Sequence, residues 1–214
     1  MNKYFKESIL WILILLPFVY LSAIWNELPV RIPTHFDLEG NPNGWSDKNG
    51  LIYLFVSLGI GIYLLMLFIP RFDPRKKIQQ MGEKYYSLRV LMTLFMTLIS
   101  VYILYSGNGS KINPNLLIGL IGGFYAAFGN YLQTVKPNYF IGIRTPWTLE
   151  NEHTWKQTHR LAGRMWMLGG LLIVVMSFTL NSNIVLGILF AAVTLIIVIV
   201  PAIYSYIEFK KIHA

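Results

Sequence analysis

Apolar residues are grouped along this chain in six runs, and each run is long enough to cross a membrane. The hydrocarbon core of a bilayer is about 30 Å thick, which requires roughly twenty residues of helix. Apolar and polar positions do not alternate within the runs, so helices rather than strands are expected to satisfy the backbone there. The pattern predicts an all-α membrane protein with six transmembrane helices. The predicted spans are residues 9–25, 51–69, 88–106, 116–132, 161–180 and 184–207.

The polar segments between these runs divide the chain into two parts. Residues 1–70 hold the first two spans and a loop at 26–50, and residues 71–214 hold four spans and a loop at 136–164. The first run only loosely resembles a secretory signal, because Leu21 stands where a cleavage site needs a small residue. We therefore expect an uncleaved first span.

Lys and Arg are distributed unevenly among the polar segments. Fifteen of the eighteen fall in the N-terminal segment, the second and fourth loops and the C-terminal segment, and three fall in the other loops. The positive-inside rule then places both termini and the 136–164 loop in the cytoplasm, with the 26–50 loop outside. This asymmetry explains the net charge of +8, so direct contact with nucleic acid is not expected.

Composition and motifs narrow the possible function classes. Only 13% of the residues are charged, against roughly 25% in soluble domains, and the absence of cysteine excludes disulfides and thiol catalysis. No ionisable residue stands in the middle of a span, which disfavours a pump or an ion-coupled transporter. The sequence motifs of common hydrolases and nucleotide-binding enzymes are missing. Because His35 and Asp37 are too few ligands for a structural zinc site, we expect neither a metal nor a cofactor.

Small residues recur in the fourth span at helical spacing. Gly119, Gly123 and Ala127 stand four residues apart, and such a stripe lets two helices approach closely in lipid. Packing within the bundle is the favoured interpretation, and a homodimer face is the alternative. Asn130 and Gln133 continue the same helix, and the sequence does not decide whether they line a cavity.

The 26–50 loop, which we call the outer loop, combines extended segments with a dense turn signal. Residues 30–32 and 35–37 alternate as short extended pieces, and residues 40–44 have the Gly, Asn and Pro content of a turn. We expect a small ordered cap with Trp45 near the lipid headgroups and a net charge of −2, which favours a cationic peptide. A solvated hairpin with an interfacial Trp is the alternative. The candidate binding residues are Pro33, His35, Phe36, Asp37, Gly40, Asn43, Trp45 and Lys48.

The 138–164 stretch is the densest in aromatic, His and Arg residues. Gly142 allows a tight bend, and Thr145 precedes a proline that suits the start of a helix. Thr148 or Asn151 is the candidate cap for the next helix. From Glu152 the pattern predicts an amphipathic helix that lies along the inner interface before turning into the fifth span. We expect one polar and aromatic site at the inner mouth of the bundle, and an interfacial anchor helix is the alternative. The residues proposed for that site are Arg144, Trp147, Trp155, His159 and Arg160.

Two motifs resemble a known family. The first is the Ile32-Pro33-Thr34-His35-Phe36 segment with Gly40-Asn41-Pro42-Asn43-Gly44-Trp45, which is similar to a domain of unknown function found at the head of SdpI-type proteins. The second resembles the motif of the SdpI family itself. It reads Gly142-Ile143-Arg144-Thr145-Pro146-Trp147-Thr148-Leu149, followed by Trp155, Thr158-His159-Arg160 and Gly163.

The resemblance implies a function that composition alone does not reveal. Founding members of the family are immunity proteins of the bacterial cell membrane, which protect the cell from a secreted toxic peptide and hold a transcriptional autorepressor at the membrane. A toxin partner and a cytoplasmic autorepressor are therefore the implied partners, with the lipid bilayer as surroundings. A membrane sensor or scaffold for envelope stress and an interfacial enzyme are the alternatives. The motif residues implied in partner binding or signalling are Asn138, Gly142, Arg144, Thr145, Pro146, Trp147, Thr148, Trp155, His159 and Arg160.

Overall fold

Six long helices form a bundle that matches the six predicted spans. The computed structural model describes residues 2–37, 39–74, 76–107 and 113–212. Each of the six helices is long and apolar enough to cross a membrane, which confirms the prediction of a six-helix membrane protein. The long helices are α1 (Lys3–Ile24), α2 (Gly50–Phe72), α3 (Glu83–Gly107), α4 (Pro114–Leu132), α6 (Glu152–Thr179) and α7 (Asn183–Ile212).

A two-stranded antiparallel sheet between α1 and α2 departs from the all-α prediction. Strand β1 (Arg31–Phe36) pairs with β2 (Pro42–Asp47), with Pro33 opposite Trp45 and an irregular register around His35. Both extended pieces expected from the sequence, residues 30–32 and 35–37, coincide with β1. Strand β2 begins within residues 40–44, which were expected to form a turn. Pairing was expected only in the alternative of a solvated hairpin, because the strand pattern is short and Pro33 interrupts the donors of β1.

Ile32 of β1 packs the sheet against the bundle. The Ile32 side chain is fully buried in an apolar cluster with residues from α1, α2 and α3, including Leu21, Phe55 and Leu104. The sheet therefore lies at the end of the bundle where α1 and α3 finish and α2 begins, which we call the hairpin end.

The segment between α4 and α6 packs at the opposite end of the bundle, which we call the motif end. Ile78, Met81 and Tyr85 lie before or at the start of α3, and they share an apolar core with Ile141 and Trp155. The two loops singled out in the sequence are thus separated by the length of the bundle.

Helices α4 and α6 make the closest helix contact. A Cβ atom added to Gly129 would overlap backbone atoms of Gly163 and Met167, and one added to Gly170 would overlap backbone atoms of Ala126. Only glycine permits this separation, as expected for small residues at a helix crossing in lipid.

The stripe proposed from the sequence only partly coincides with this contact. Gly119 does lie against α6, because an added Cβ would stand 2.7 Å from Oγ of Ser177. Gly123 and Ala127 are exposed instead, and an added Cβ on Gly123 would meet no atom within 4 Å. Asn130 and Gln133 are also exposed.

The predicted interfacial helix is not a separate element. A single turn, α5 (Pro146–Glu150), precedes α6, and α6 then runs unbroken from Glu152 into the bundle. Neither Pro nor Gly interrupts residues 152–162, and Trp155 is buried against the core, so nothing turns the chain between the two expected helices.

An ion pair that sequence reasoning missed joins the first three helices near the motif end. The guanidinium of Arg89 on α3 donates from both terminal nitrogens to the Glu7 carboxylate on α1, at 2.8 and 2.9 Å. Tyr63 on α2 donates to the same carboxylate at 2.8 Å. Two parallel charge-assisted bonds to one carboxylate are strong and specific, so this group fixes how α1 to α3 are arranged.

Candidate functional site

Asn138 organises the loop between α4 and α5, residues 133–145, which we call the motif loop. Its side chain is buried; its Oδ1 accepts from the backbone N–H groups of Phe140 and Ile141, at 2.8 and 2.7 Å. Its Nδ2 donates to the carbonyls of Lys136 and Ile141 at 2.8 and 3.0 Å. One amide thus satisfies four backbone groups that no helix or strand would pair, and buried groups of this kind are costly when left unpaired.

His159 on α6 supports the next bend of the loop. Its Nε2 accepts from the N–H of Ile143 at 3.0 Å, and its Nδ1 lies 2.8 Å from the carbonyl of Trp155. A backbone N–H can only donate and a carbonyl can only accept, so the ring is neutral with its proton on Nδ1. The imidazole is therefore a structural support in this conformation, with both nitrogens occupied.

Gly142 and Trp155 complete the packing around that imidazole. Gly142 has φ of +108°, and a Cβ added there would overlap Nε2 of His159. The Trp155 ring stacks on the imidazole with centroids 4.0 Å apart, and its indole N–H donates to the carbonyl of Val135 at 2.9 Å. Glycine is needed here both for the left-handed backbone and for the space.

Thr145 and Thr148 form a reciprocal cap at the N-terminus of the short helix α5. The Thr145 hydroxyl accepts from the N–H of Thr148 at 3.2 Å, and the Thr148 hydroxyl accepts from the N–H of Thr145 at 3.0 Å. Pro146 occupies the first helical position, where a missing N–H costs nothing. The Thr145 hydroxyl also lies 2.9 Å from Oγ of Ser205, which connects the loop to α7.

The remaining motif residues lie towards the surface. Trp147 packs on Tyr206 of α7 with ring centroids 5.0 Å apart. Arg144 is exposed and donates to the carbonyl of Tyr139 at 2.6 Å, and Arg160 is exposed on α6.

The structure therefore does not assemble the five side chains proposed for the inner mouth into one site. It buries Trp155 and His159 together, sets Trp147 against α7, and leaves Arg144 and Arg160 at the surface. The long motif acts mainly as a self-bonded framework that presents two arginines. Sequence reasoning missed Ser205 and Tyr206, because their contacts depend on how α7 packs.

A cavity of about 390 Å³ opens between the sheet and the bundle at the hairpin end. Four of the outer-loop residues predicted to bind form one wall, and three helices form the rest. The wall is largely apolar, with His35 and Asp37 at its sheet side. The lining residues are Pro33, Thr34, His35, Phe36, Asp37, Leu54, Ile99, Tyr102, Ile103, Ser106, Pro114 and Leu117.

The other predicted outer-loop residues shape or surround the sheet. Gly40 adopts φ of +81° in the turn, where the Asp37 carboxylate accepts from the N–H of Asn41 at 2.8 Å. Lys48 donates to the carbonyl of Trp25 at 2.7 Å, with its ammonium group 4.3 Å from the Trp25 ring centroid, so it anchors the sheet on α1.

Two residues of the outer loop remain on the surface of the sheet. Asn43 is exposed, and Trp45 is 56% exposed. A large exposed indole on the sheet is available for contact with lipid headgroups or with a partner.

Across residues 2–37, 39–74, 76–107 and 113–212, no three His, Asp or Glu side chains are grouped as metal ligands.

Comparisons with known proteins agree with the two motifs. Residues 134–205 match the SdpI/YfhL protein family, and residues 12–60 match a domain of unknown function, DUF1648. The chain is 28% identical over 212 residues to a protein of Bacillus subtilis (strain 168) named "Immunity protein SdpI", an alignment that covers 97% of this chain and 98% of that relative. No solved structure matches the chain. The resemblance predicted from the motifs is confirmed.

Proposed function

Because this chain carries an SdpI-family region behind the N-terminal domain usual in that family, we propose that it is an immunity protein of the bacterial cell membrane. It would give resistance to a secreted antimicrobial peptide toxin. The observation that carries this proposal is the alignment with a named immunity protein over nearly the whole of both chains, which includes all six helices and both loops.

The proposed orientation places the hairpin end outside the cell and the motif end in the cytoplasm. The support is the distribution of Lys and Arg, fifteen of which fall on the side that holds the termini and the motif loop. The hairpin end would then meet a secreted toxin first, and the motif end would face cytoplasmic partners.

The cavity at the hairpin end is the proposed contact for the toxin. It has room for a large apolar side chain or a short apolar segment, and burial of apolar surface is the main source of affinity at such sites. The Asp37 carboxylate at its sheet side and the net charge of −2 of the outer loop favour a cationic peptide. The exposed Trp45 would add contact area next to the cavity.

A signalling role would use the other end of the bundle. Arg144 is presented on a rigid, self-bonded loop, which suits recognition of an acidic surface on a cytoplasmic autorepressor. Toxin binding changes this surface only if toxin binds two arrangements of the bundle with different affinity. In this proposal the change at the Arg144 surface contributes to protection.

The test is survival of a toxin-sensitive bacterium that expresses the chain and is challenged with peptide toxin. The wild type is expected to protect, and Leu117→Trp, which fills the cavity from α4, is expected to abolish protection at unchanged membrane abundance. Leu116→Trp is the matched control, because Leu116 is 42% exposed and lies outside that cavity. A failure of the wild type to protect at normal abundance would favour the sensor or scaffold role.

Two further variants separate the roles of the two ends. Trp45→Ala and Arg144→Ala are each expected to lower protection, and Arg71→Ala serves as the control because Arg71 is an exposed arginine outside the motif. If Leu117→Trp abolishes protection while Arg144→Ala leaves it complete, toxin binding at the hairpin end stands and the motif end has no part in immunity.

A further inference from the structure

A groove of about 340 Å³ lies between α6 and α7 near the motif end, outside the motif loop. It is lined by Gln157, Arg160, Leu161, Arg164 and Tyr204. Arg160 belongs to the second family motif, but neither that motif nor the proposed toxin contact accounts for its combination with a second arginine, an amide, a tyrosine and a leucine.

The two arginines of the groove have no acidic partner in the part of the chain that the structure describes. Arg160 and Arg164 are both exposed and stand one helical turn apart, so they project from the same face of α6. The acidic residue on the neighbouring stretch of α7, Glu208, lies 3.5 Å from His153 and 3.4 Å from Lys211. The Glu208 carboxylate therefore already interacts with two basic groups, and it also interacts with the Tyr204 hydroxyl.

Helix lengths place the groove near the edge of the hydrocarbon core at the motif end, from which long polar side chains reach the lipid phosphates. At about 1.5 Å per residue, Arg160 lies about 28 Å and Arg164 about 22 Å from Thr179, the other end of α6. The hydrocarbon core of a bilayer is about 30 Å thick. Tyr204 lies about 31 Å from Asn183 along α7 by the same measure. Long basic side chains and tyrosines at this depth extend to the headgroup layer.

Below the arginines, α6 continues as an apolar strip. Leu168 and Leu172 follow Leu161 at helical spacing and are 62% and 50% exposed. A cationic groove above an exposed leucine strip matches a molecule with an anionic head and an apolar chain. A soluble protein partner would have no use for the leucines, which lie within the hydrocarbon core.

We propose that this groove binds the phosphate of an anionic phospholipid in the leaflet at the motif end. Arg160 and Arg164 would donate to the phosphate oxygens, for which the planar guanidinium is well suited, and Gln157 would contribute an amide. The acyl chain would lie along Leu161, Leu168 and Leu172. This site requires neither a toxin nor a repressor, so it goes beyond the proposed immunity function.

The test measures retention of phosphatidylglycerol by the purified full-length protein in native mass spectrometry, with phosphatidylcholine as the zwitterionic comparison. Arg160→Gln with Arg164→Gln is expected to weaken phosphatidylglycerol binding roughly 25-fold, about 5-fold for each basic residue. Lys76→Gln with Lys84→Gln is the matched control, since it removes two exposed positive charges from another part of the motif end. That control is expected to bind like the wild type.

Two additional measurements assign the ligand. Excess inorganic phosphate is expected not to displace the lipid, and its displacement of phosphatidylglycerol would indicate a site for free phosphate instead. Arg160→Lys with Arg164→Lys keeps the charge and is expected to bind with intermediate strength. Equal binding by wild type and the double Gln variant, or equal loss in the Lys76 and Lys84 control, would overturn the lipid site. If the double Gln variant binds lipid like the wild type but no longer captures a cytoplasmic protein, the groove is a protein-docking site and the lipid proposal is wrong.

Discussion

Three side chains determine the shape of the motif loop. Asn138, Thr148 and His159 each bond backbone groups that the bends leave without a helix or strand partner. The loop is therefore held in one conformation by its own polar groups, and its shape does not depend on a bound partner.

At this scale Gly142 is the position most sensitive to substitution. Gly142→Ala combines a left-handed backbone, which costs an alanine about 1–3 kcal/mol, with overlap between the new methyl group and His159. We expect a loss of stability larger than about 2 kcal/mol, measured as thermal unfolding of the protein in detergent.

Gly82→Ala is the matched control for that substitution. Gly82 also has positive φ, at +51°, but an added Cβ would meet no atom within 4 Å, so only backbone strain is present. We expect a smaller loss than for Gly142→Ala, about 1–3 kcal/mol from backbone strain alone. Equal effects of the two substitutions would show that contact with His159 is unimportant.

The local residue chemistry of the motif was largely predictable, whereas its partners were not. The bend at Gly142 and the start of a helix at Pro146 follow from backbone preferences of neighbouring residues. Of the two candidate caps for the following helix, the structure uses Asn151, which accepts from the N–H of Thr154 at 2.9 Å. The burial of His159 under Trp155 follows from the position of α6, which depends on contacts distant in sequence. For this reason the sequence suggested an exposed aromatic site where the structure has a buried one.

Among the elements, α4 and α6 form a pair whose contact is made by glycines. We expect Gly129→Ala to destabilise the protein by about 1–3 kcal/mol, because the methyl group would be forced into the α6 backbone. Gly123→Ala is the control on the same helix, and it should be neutral or stabilising by up to about 1 kcal/mol. Thermal unfolding of both variants decides, and a more stable Gly129→Ala protein would contradict the close contact.

The face of α4 used in this contact could not be chosen from α4 alone. Gly119, Gly123 and Ala127 form one small-residue stripe, and Gly122 and Ala126 form a second beside it. The structure selects Gly122, Ala126 and Gly129, because the small residues of α6 stand opposite them. Spacing within one helix identifies a close contact, but the partner helix fixes which stripe makes it.

The extended outer-loop segments show a similar limit for strands. Alternation predicted extended chain at residues 30–32 and 35–37, and Gly, Asn and Pro predicted a turn at residues 40–44. The structure has two paired strands there, and the second strand begins within the expected turn. What places the sheet on the bundle is the burial of Ile32, a tertiary contact with no local signal.

For the molecule as a whole, the Glu7–Arg89 pair is a point where three helices depend on one another. Arg89→Met removes two charge-assisted hydrogen bonds to the Glu7 carboxylate, and we expect a loss of about 3–5 kcal/mol. Glu7→Gln with Arg89→Met removes both charges and should be closer to the wild type than Arg89→Met alone. A double-mutant cycle in thermal unfolding measures the coupling, and strictly additive losses would rule out a cooperative pair.

The absence of cysteine makes the proposed orientation directly measurable, since any single introduced thiol is unique. We expect Asn43→Cys, on the exposed sheet surface, to react with a membrane-impermeant maleimide in intact cells. Glu150→Cys, exposed at the motif end, should react only after the cells are opened. The reverse labelling pattern would invert the topology and place the motif loop outside.

The seam between α3 and α4 joins the first three helices to the rest of the bundle, and it is filled unevenly. At the motif end an apolar core with Tyr85 and Trp155 closes it, whereas at the hairpin end the cavity of about 390 Å³ separates its walls. A packed apolar core therefore joins α3 and α4 at the motif end, and a cavity separates them at the hairpin end. A molecule bound in the cavity would contact α3 and α4 together, and we expect a change in the angle between these helices to alter the start of the motif loop at the end of α4.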